Sequence, residues 1–424
     1  MSQDAGKDND KKAGPGKGAV QRPKGTRDFL PADMERRRWL EGRLRATAGL
    51  FGFGEVATPA FEHVELFTLR SGQGIIEDMY DFRDKGGRHL ALRPELTAPT
   101  LRLFIEGMTG EPKPLKLFYF GNCFRYEQPQ KGRFREFWQF GAEILGAKRV
   151  PGEVELLSFA DACLNASGLK GYVMRIGHVG VLRRLLEDAG VPAGSQAPLM
   201  PLIDKRDHEA LKAALEGLGA DGDHVLDVLK SSGGREMLAK VPGSGLEEVL
   251  DGLAAAGVGG YVIEPGIARG LDYYTGMVFE VDVPDLGAEK QVLGGGTYAL
   301  SEILGGEPIE STGFAIGFDR VLVALEAQRA AIPHAGLDYY IIPMGPAERA
   351  RALQVLAALR NAGRSADIDI ADRNLSKAMK YASSSGAASA IIIGENELRT
   401  DTLSVKDLES GKQRTATLEE LLKR

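Results

Sequence analysis

The segment that most constrains the fold is LKLFYFGNCFRYEQPQKGRFREFWQFGAEILG, residues 115–146. Two runs rich in Phe, Tyr, Ile and Leu flank a polar, basic stretch, a pattern that predicts two strands joined by a loop. Arg125 follows the first run, so its guanidinium is mounted on a rigid element. Arginine can grip a phosphate through two parallel N–H bonds, which lysine cannot. In the second run Gln139 and Glu143 are four positions apart, and strand side chains alternate, so both project to one side. The loop adds Lys131, Arg133 and Arg135, cations suited to a triphosphate or an RNA end.

The rest of the chain supplies three further candidate groups. ALRPELTAPTLR (91–102) puts Glu95 and Thr97 two apart, on one face if extended, or else at the start of a helix. A carboxylate beside a hydroxyl suits an α-ammonium group. In ARGLDYYTGMVFEV (268–281), Arg269 stands beside a glycine, and Tyr273 and Tyr274 lead into a predicted strand. LGGGTYAL (293–300) reads as a glycine turn followed by Tyr298, and GFAIGFDRVLVAL as a strand followed by a helix with Arg320 just inside it.

Residues 1–22 hold Lys, Asp, Gly and Pro with little to bury and are expected to form a disordered tail. From Pro23 to about 171 an acid-started helix carrying Trp39, Leu40 and Leu44 precedes short apolar runs that predict a mostly antiparallel sheet flanked by helices. Residues 172–258 read as a helical insertion, with LRRLLEDAG, HEALKAALEGLG and LEEVLDGLAAAG each helical in period and closed by glycine. Strand-like sequence resumes over 259–331. Residues 332–424 alternate strand and helix, the pattern of a small α/β domain with a substantially parallel sheet. The expected class is therefore α+β with an α/β domain at the end.

Composition excludes several alternatives. At 424 residues with 43% hydrophobic and 26% charged side chains, the chain has the profile of a globular protein of two or three domains. No run approaches the roughly 20 apolar residues of a membrane span. The first thirty residues carry no signal-peptide core, so a cytoplasmic address is expected. Cys123 and Cys163 are isolated, which argues against a zinc site or a disulfide scaffold, and no protein-held metal is expected. A formal charge of −6 argues against indiscriminate binding to nucleic acid through a broad basic face, although not against a local patch.

Taken together the motifs resemble those of class II aminoacyl-tRNA synthetases, and among them the histidyl-tRNA synthetases. Pro59 in FGEVATPAFEHVELF resembles the proline of the first class motif, 124–146 the second, and GFAIGFDRVLVAL the third, with Arg320 as its arginine. RGLDYYTGMVFEV and KGTRDFLP (24–31) are similar to segments peculiar to the histidyl enzymes, and the terminal α/β unit to their anticodon-binding domain. The resemblance implies a homodimer that uses ATP with Mg2+, histidine and tRNA(His), with no membrane partner. It implies that Arg125 and Arg269 hold the α-phosphate, Arg320 lies against adenine, and Glu127 and Arg133 place the nucleotide. Glu95, Thr97 and Gln139 would position the amino acid's ammonium and carboxylate, and Glu143, Tyr273, Tyr274 and Tyr298 would line the imidazole pocket. The family often has Arg after the three glycines and Asp-Gly after the tyrosine, where this chain has Thr297, Ala299 and Leu300. The alternative is the synthetase-like regulatory subunit of ATP phosphoribosyltransferase, which typically lacks the anticodon domain and loses signature residues.

Overall fold

The computed structural model describes residues 20–69, 77–127, 133–267, 273–333 and 336–423. Most of the expected tail, together with Lys131 and Arg269, lies outside the described residues. The chain divides into two compact units between Ile332 and Pro333.

The first unit opens with helix α1 (Pro31–Leu50). Proline in the first turn has no N–H to leave unpaired, and the Asp33 carboxylate accepts the Leu30 N–H at 3.0 Å. Arg37, Leu40, Leu44 and Ala48 recur at helical spacing and form its buried face. There follow β1 (Gly54–Glu55), β2 (Phe61–His63), β3 (Tyr80–Arg83), β4 (His89–Leu92), helix α2 (Thr97–Gly107), β5 (Leu115–Phe124) and β6 (Glu136–Leu145). Helix α3 (Arg149–Ser167) leads to β7 (Val173–His178) and then to helices α4 (Val179–Asp188), α5 (His208–Gly217), α6 (Gly222–Leu229) and α7 (Leu246–Ala255). Strands β8 (Tyr261–Ile263), β9 (Tyr274–Asp282), β10 (Gln291–Tyr298) and β11 (Ser311–Gly317) and helix α8 (Phe318–Ala327) complete the unit.

Eight strands form one sheet in the order β1-β5-β6-β11-β10-β9-β7-β8. The two outermost pairs are parallel and every pair between them is antiparallel. Strand alternation divides the side chains of β6 between two faces. Phe140, Ala142 and Ile144 enter the main core with Leu40, Leu44, Leu156, Phe159 and Leu253, so this face is covered by α1, α3 and α7. Gln139 and Glu143 have the opposite parity and belong to the other face, where the functional groups collect. Phe61 and Phe82, in a separate three-stranded sheet of order β2-β4-β3, meet edge to face and remain about half exposed.

Two sequence expectations are corrected here. The segment expected to be helical from residue 172 begins with β7, which pairs in the large sheet with β9. That pairing partner lies about a hundred residues further along, so no local pattern announces it. The glycines at 294–296 form no turn; they lie inside β10 between β9 and β11. A Cβ on Gly295 would sit 2.3 Å from the Gly313 carbonyl oxygen, and one on Gly296 2.4 Å from that of Met277. Bare backbone lets these strands approach closely.

The second unit contains β12 (Tyr339–Pro343), α9 (Pro346–Asn361), β13 (Ala366–Ile368), α10 (Leu375–Ser384), β14 (Ser389–Ile393), α11 (Glu395–Thr400), β15 (Leu403–Asp407), β16 (Gln413–Ala416) and α12 (Leu418–Leu422). Alternation along β12 sends Ile341 to a core with Val355 and Leu359 of α9, and Tyr340 and Ile342 to another with Ala378 and Ala382 of α10. Strands β13, β12 and β14 are parallel, while β15 and β16 are antiparallel additions. The sheet is therefore less parallel than expected. Strand β16 is polar and exposed along Gln413–Arg414–Thr415, so it gives no apolar signal.

Candidate active site

Glu143 lies fully buried near the C-terminal end of β6, with each carboxylate oxygen met by a phenol. Tyr298 at the end of β10 donates to Oε2 at 2.6 Å, and Tyr119 of β5 donates to Oε1 at 3.0 Å. The geometry depends on two glycines. Gly141 faces Tyr119 across the strand pair, and a Cβ there would lie 2.5 Å from the phenol ring. Gly313 faces Glu143 on β11, and its Cβ would fall 1.7 Å from Oε2. Burial pushes the Glu143 carboxyl up to about 8, only partly offset by hydrogen bonds from Tyr298, Thr97 and Tyr119. Burial together with the neighbouring carboxylate also holds both phenols well above their ordinary range.

Thr97 closes a third side, its hydroxyl 3.3 Å from that of Tyr119. Glu95 precedes it, but the pair is not extended. Helix α2 begins at Thr97, and the Glu95 carboxylate accepts the backbone N–H of Thr97 at 2.5 Å and of Ala98 at 3.0 Å. An acid suits that end of the helix dipole. Burial raises the Glu95 carboxyl, opposed by these N–H groups and by the Arg125 charge. Tyr273 and Tyr274, both buried, pack with Tyr298 at ring separations of 5.5 and 6.4 Å.

Next to this polar pocket the same sheet face opens into a cleft of about 330 Å³. Arg125, Glu127, Arg133, Gln139 and Arg320 all line it, together with Phe134 and Phe137. Arg125 stands one residue past the end of β5, where its Nε donates to the Pro94 carbonyl at 2.9 Å and its guanidinium lies 5.2 Å from the centre of the Phe137 ring. Glu127 pairs with Arg133 at 3.3 Å. Arg320, in the first turn of α8, donates from Nη1 to the Gln291 carbonyl at 2.6 Å, which ties its guanidinium to the start of β10. Gln139 links the two regions. Its side-chain oxygen accepts the Cys123 thiol at 3.3 Å, and burial pushes that thiol up to about 12, so it stays protonated.

The structure therefore gathers Arg125, Glu127, Arg133, Gln139 and Arg320 at one cleft, and Thr97, Glu143 and Tyr298 in the adjoining pocket, with Tyr273 and Tyr274 packed behind it. Sequence reasoning missed Tyr119 and Gly313. The signal available for Tyr119 was its parity in β5, on the same face as Cys123, together with a glycine two residues before Glu143 in the paired strand. Among the described residues, no group of three or more His, Cys, Asp or Glu side chains is placed to hold a metal ion.

The chain has known counterparts. A family model described as histidyl-tRNA synthetase matches residues 25–321, and one described as anticodon binding domain matches residues 338–424. A histidine–tRNA ligase of Methanosarcina acetivorans is 44% identical over 420 residues, covering 96% of this chain and 98% of the relative. The apo crystal structure of S. aureus histidyl-tRNA synthetase aligns with a TM-score of 0.72 at 31% identity, over 95% of this chain and 99% of its own. That of the enzyme from Nostoc sp. PCC 7120 shares the fold with a TM-score of 0.81 at 23% identity, over 95% and 99% of the two chains. The fold is that of the class II aminoacyl-tRNA synthetases. Within that class, the chain belongs to the histidyl-tRNA synthetase family. The match at 338–424 is to the domain that the regulatory-subunit alternative typically lacks, so that alternative is not favoured.

Proposed function

We propose that this protein activates histidine with ATP to give histidyl-adenylate and pyrophosphate, then transfers histidine to the 3′ end of its tRNA. The observation that carries the reading is a buried carboxyl held between two phenols beside an arginine-lined cleft on one sheet face. Imidazole has one N–H and one lone pair when neutral, and two N–H groups when charged. Glu143 with Tyr298 can answer either pattern, and its raised proton affinity places the choice of form near neutral pH. An apolar competitor would leave these buried groups unpaired, a defect that supports discrimination of about 10⁴-fold or more.

Activation joins a histidine carboxylate oxygen to the α-phosphorus and breaks the bond to the bridging oxygen, releasing pyrophosphate. The nucleophile is already ionised near neutral pH, so no base is required. The difficulty is bringing like charges together, and fixed guanidinium groups answer it by stabilising the charge that builds on phosphorus. Arg125 is assigned to the α-phosphate, Arg133 with Glu127 to the outer phosphates and Arg320 to the adenine. Arg269 is assigned to the α-phosphate by family pattern. Gln139, Thr97 and Glu95 are assigned to the amino acid's charged ends, and Tyr273 and Tyr274 to the walls of the imidazole pocket. Mg2+ fits as an ion brought by the nucleotide, since it keeps waters and phosphate oxygens and needs few protein carboxylates. Glu127 lines the cleft and pairs with Arg133, and it would be the residue to hold the ion, since Asp319 is already taken up by Arg27 and Arg37. When bound, the ion would neutralise phosphate charge.

A homodimer and a cytoplasmic address belong to the same proposal. The exposed Phe61 and Phe82 pair lies beside Pro59, giving an apolar sheet face suited to a second copy. No helix among the described residues is long and apolar enough to cross a membrane. The test is aminoacylation: the protein with ATP, histidine and tRNA(His) should form an ester-linked product that tRNAs for other amino acids do not give. Equal charging of an unrelated tRNA would overturn the proposal.

A further inference from the structure

Residues 20–30, ahead of α1, have no regular secondary structure, yet they are held at several points against the cleft. The Gly25 carbonyl accepts the Arg135 N–H at 2.9 Å. Glycine is required there, because φ is +86° and a Cβ would lie 2.6 Å from Arg135 Cγ. Two residues on, the Arg27 guanidinium stacks 3.3 Å from the centre of the Phe134 ring. Its Nη2 is 2.8 Å from Asp319 Oδ1, an ion-pair distance without hydrogen-bond alignment. Arg37 Nη1 donates to the same oxygen at 2.6 Å, and its guanidinium is enclosed by Phe29, Trp138 and Phe318 at 4.1, 4.5 and 5.0 Å. The second Asp319 oxygen accepts the Trp138 N–H at 2.8 Å.

Two cations thus share one buried carboxylate, and the surplus positive charge rests on aromatic faces. The position of this cluster gives it significance. Phe134, Trp138 and Asp319 all line the cleft, and Phe134 and Asp319 are the immediate sequence neighbours of Arg133 and Arg320. We propose that the strap 25–29 is a positioning element of the nucleotide site, with Arg27 as its central positioning residue. Arg27 joins the returning arm of the β5–β6 connection, through Phe134, to the start of α8, through Asp319. It thereby fixes the directions in which Arg133 and Arg320 enter the cleft. Arg27 itself reaches the nucleotide only through these neighbours. The Asp319–Arg37 pair persists without it, so the core is retained when Arg27 is lost. This inference rests on the reading of the cleft as an ATP site.

The test is steady-state, histidine-dependent ATP–pyrophosphate exchange with the 424-residue protein and its Arg27→Ala, Arg27→Lys and Phe134→Leu variants. Loss of the stack is expected to raise the KM for ATP about 5- to 10-fold in Arg27→Ala, with the KM for histidine changed less than about twofold. Arg27→Lys keeps the charge beside Asp319 but not the planar stack, so it should recover part of the loss. Phe134→Leu should shift ATP in the same direction, and with Arg27→Lys it provides the readout if Arg27→Ala does not fold. Equal shifts in both KM values, or none in a folded variant, would mean that the strap serves stability alone and would overturn the inference. Absence of histidine-dependent exchange in the unaltered protein would instead remove the functional reading on which it rests.

Discussion

Tyr298 and Glu143, 155 positions apart in sequence, are joined by a 2.6 Å hydrogen bond in which the phenol donates to a fully buried carboxyl oxygen. Strands β10 and β6 bring them together from either side of β11. Loss of the Tyr298 hydroxyl leaves one carboxyl oxygen without its donor, a defect of about 1–3 kcal/mol. Tyr298→Phe is therefore expected to raise the KM for histidine about tenfold or more while leaving that for ATP within about twofold. Initial rates of pyrophosphate exchange with each substrate varied in turn will check this. An effect confined to ATP would contradict the assignment.

Gly313 makes a sharper prediction. Any side chain at this position would occupy the space of Glu143 Oε2. Gly313→Ala should displace the carboxyl and lower kcat/KM for histidine by about 10²-fold or more, since the specificity of such a site depends on its buried polar groups being paired. A Cβ there would also lie 2.7 Å from the Ala142 carbonyl oxygen of the paired strand, so circular dichroism of the variant is needed to show that the sheet has held before its kinetics are compared. A variant with normal histidine kinetics would show that Glu143 is not where selection occurs.

The raised proton affinity of Glu143 gives a pH dependence whose sign can be worked out. A carboxyl that titrates at about 8 in the folded protein and near 4.5 when unfolded is protonated more readily in the native state. Its contribution to stability is fully present below about pH 4.5 and is lost as pH rises through 8. Glu143→Gln replaces it with a neutral isostere that does not lose this contribution. The unfolding free energy of Glu143→Gln relative to the unaltered protein, from denaturant titration, should therefore rise between pH 5 and pH 9 by an amount on the order of a few kcal/mol. A difference that is flat with pH, or falls, would contradict a proton held on Glu143.

In the proposed reading Arg125 acts on charge at phosphorus. Arg125→Ala is expected to slow adenylate formation in a single turnover by about 10²-fold, comparable with removing one donor to a developing oxyanion. Arg125→Lys should not restore the rate, because its ammonium cannot reproduce both the Nε bond to Pro94 and a forked grip on phosphate. Full recovery with lysine would reduce Arg125 to a simple counter-charge.

How much of this was legible in the sequence depended on the range of the interactions. The β5–β6 pair, the helix carrying Arg320 and the common face of Gln139 and Glu143 follow from local periodicity, and the structure has them all. Glu95 and Thr97 were ambiguous, because the same spacing serves an extended pair or a capped helix; the Glu95 bonds to two N–H groups at the start of α2 decide for the helix. The glycine run at 294–296 misled for a different reason. Glycine marks close backbone approach as readily as a turn, and only neighbouring β9 and β11 reveal which applies. Tyr119 went unnoticed because its role comes from crossing Gly141 to reach Glu143. That relation exists only once β5 and β6 are in register.

The central claim is that the carboxyl-and-phenol pocket selects histidine for activation at the adjoining arginine-lined cleft. It is tested most directly by ATP–pyrophosphate exchange with each of the twenty amino acids supplied singly to the purified protein. Exchange should depend on histidine and exceed that with every other amino acid by about 10⁴-fold or more. Exchange driven by a different amino acid, with none for histidine, would contradict the account.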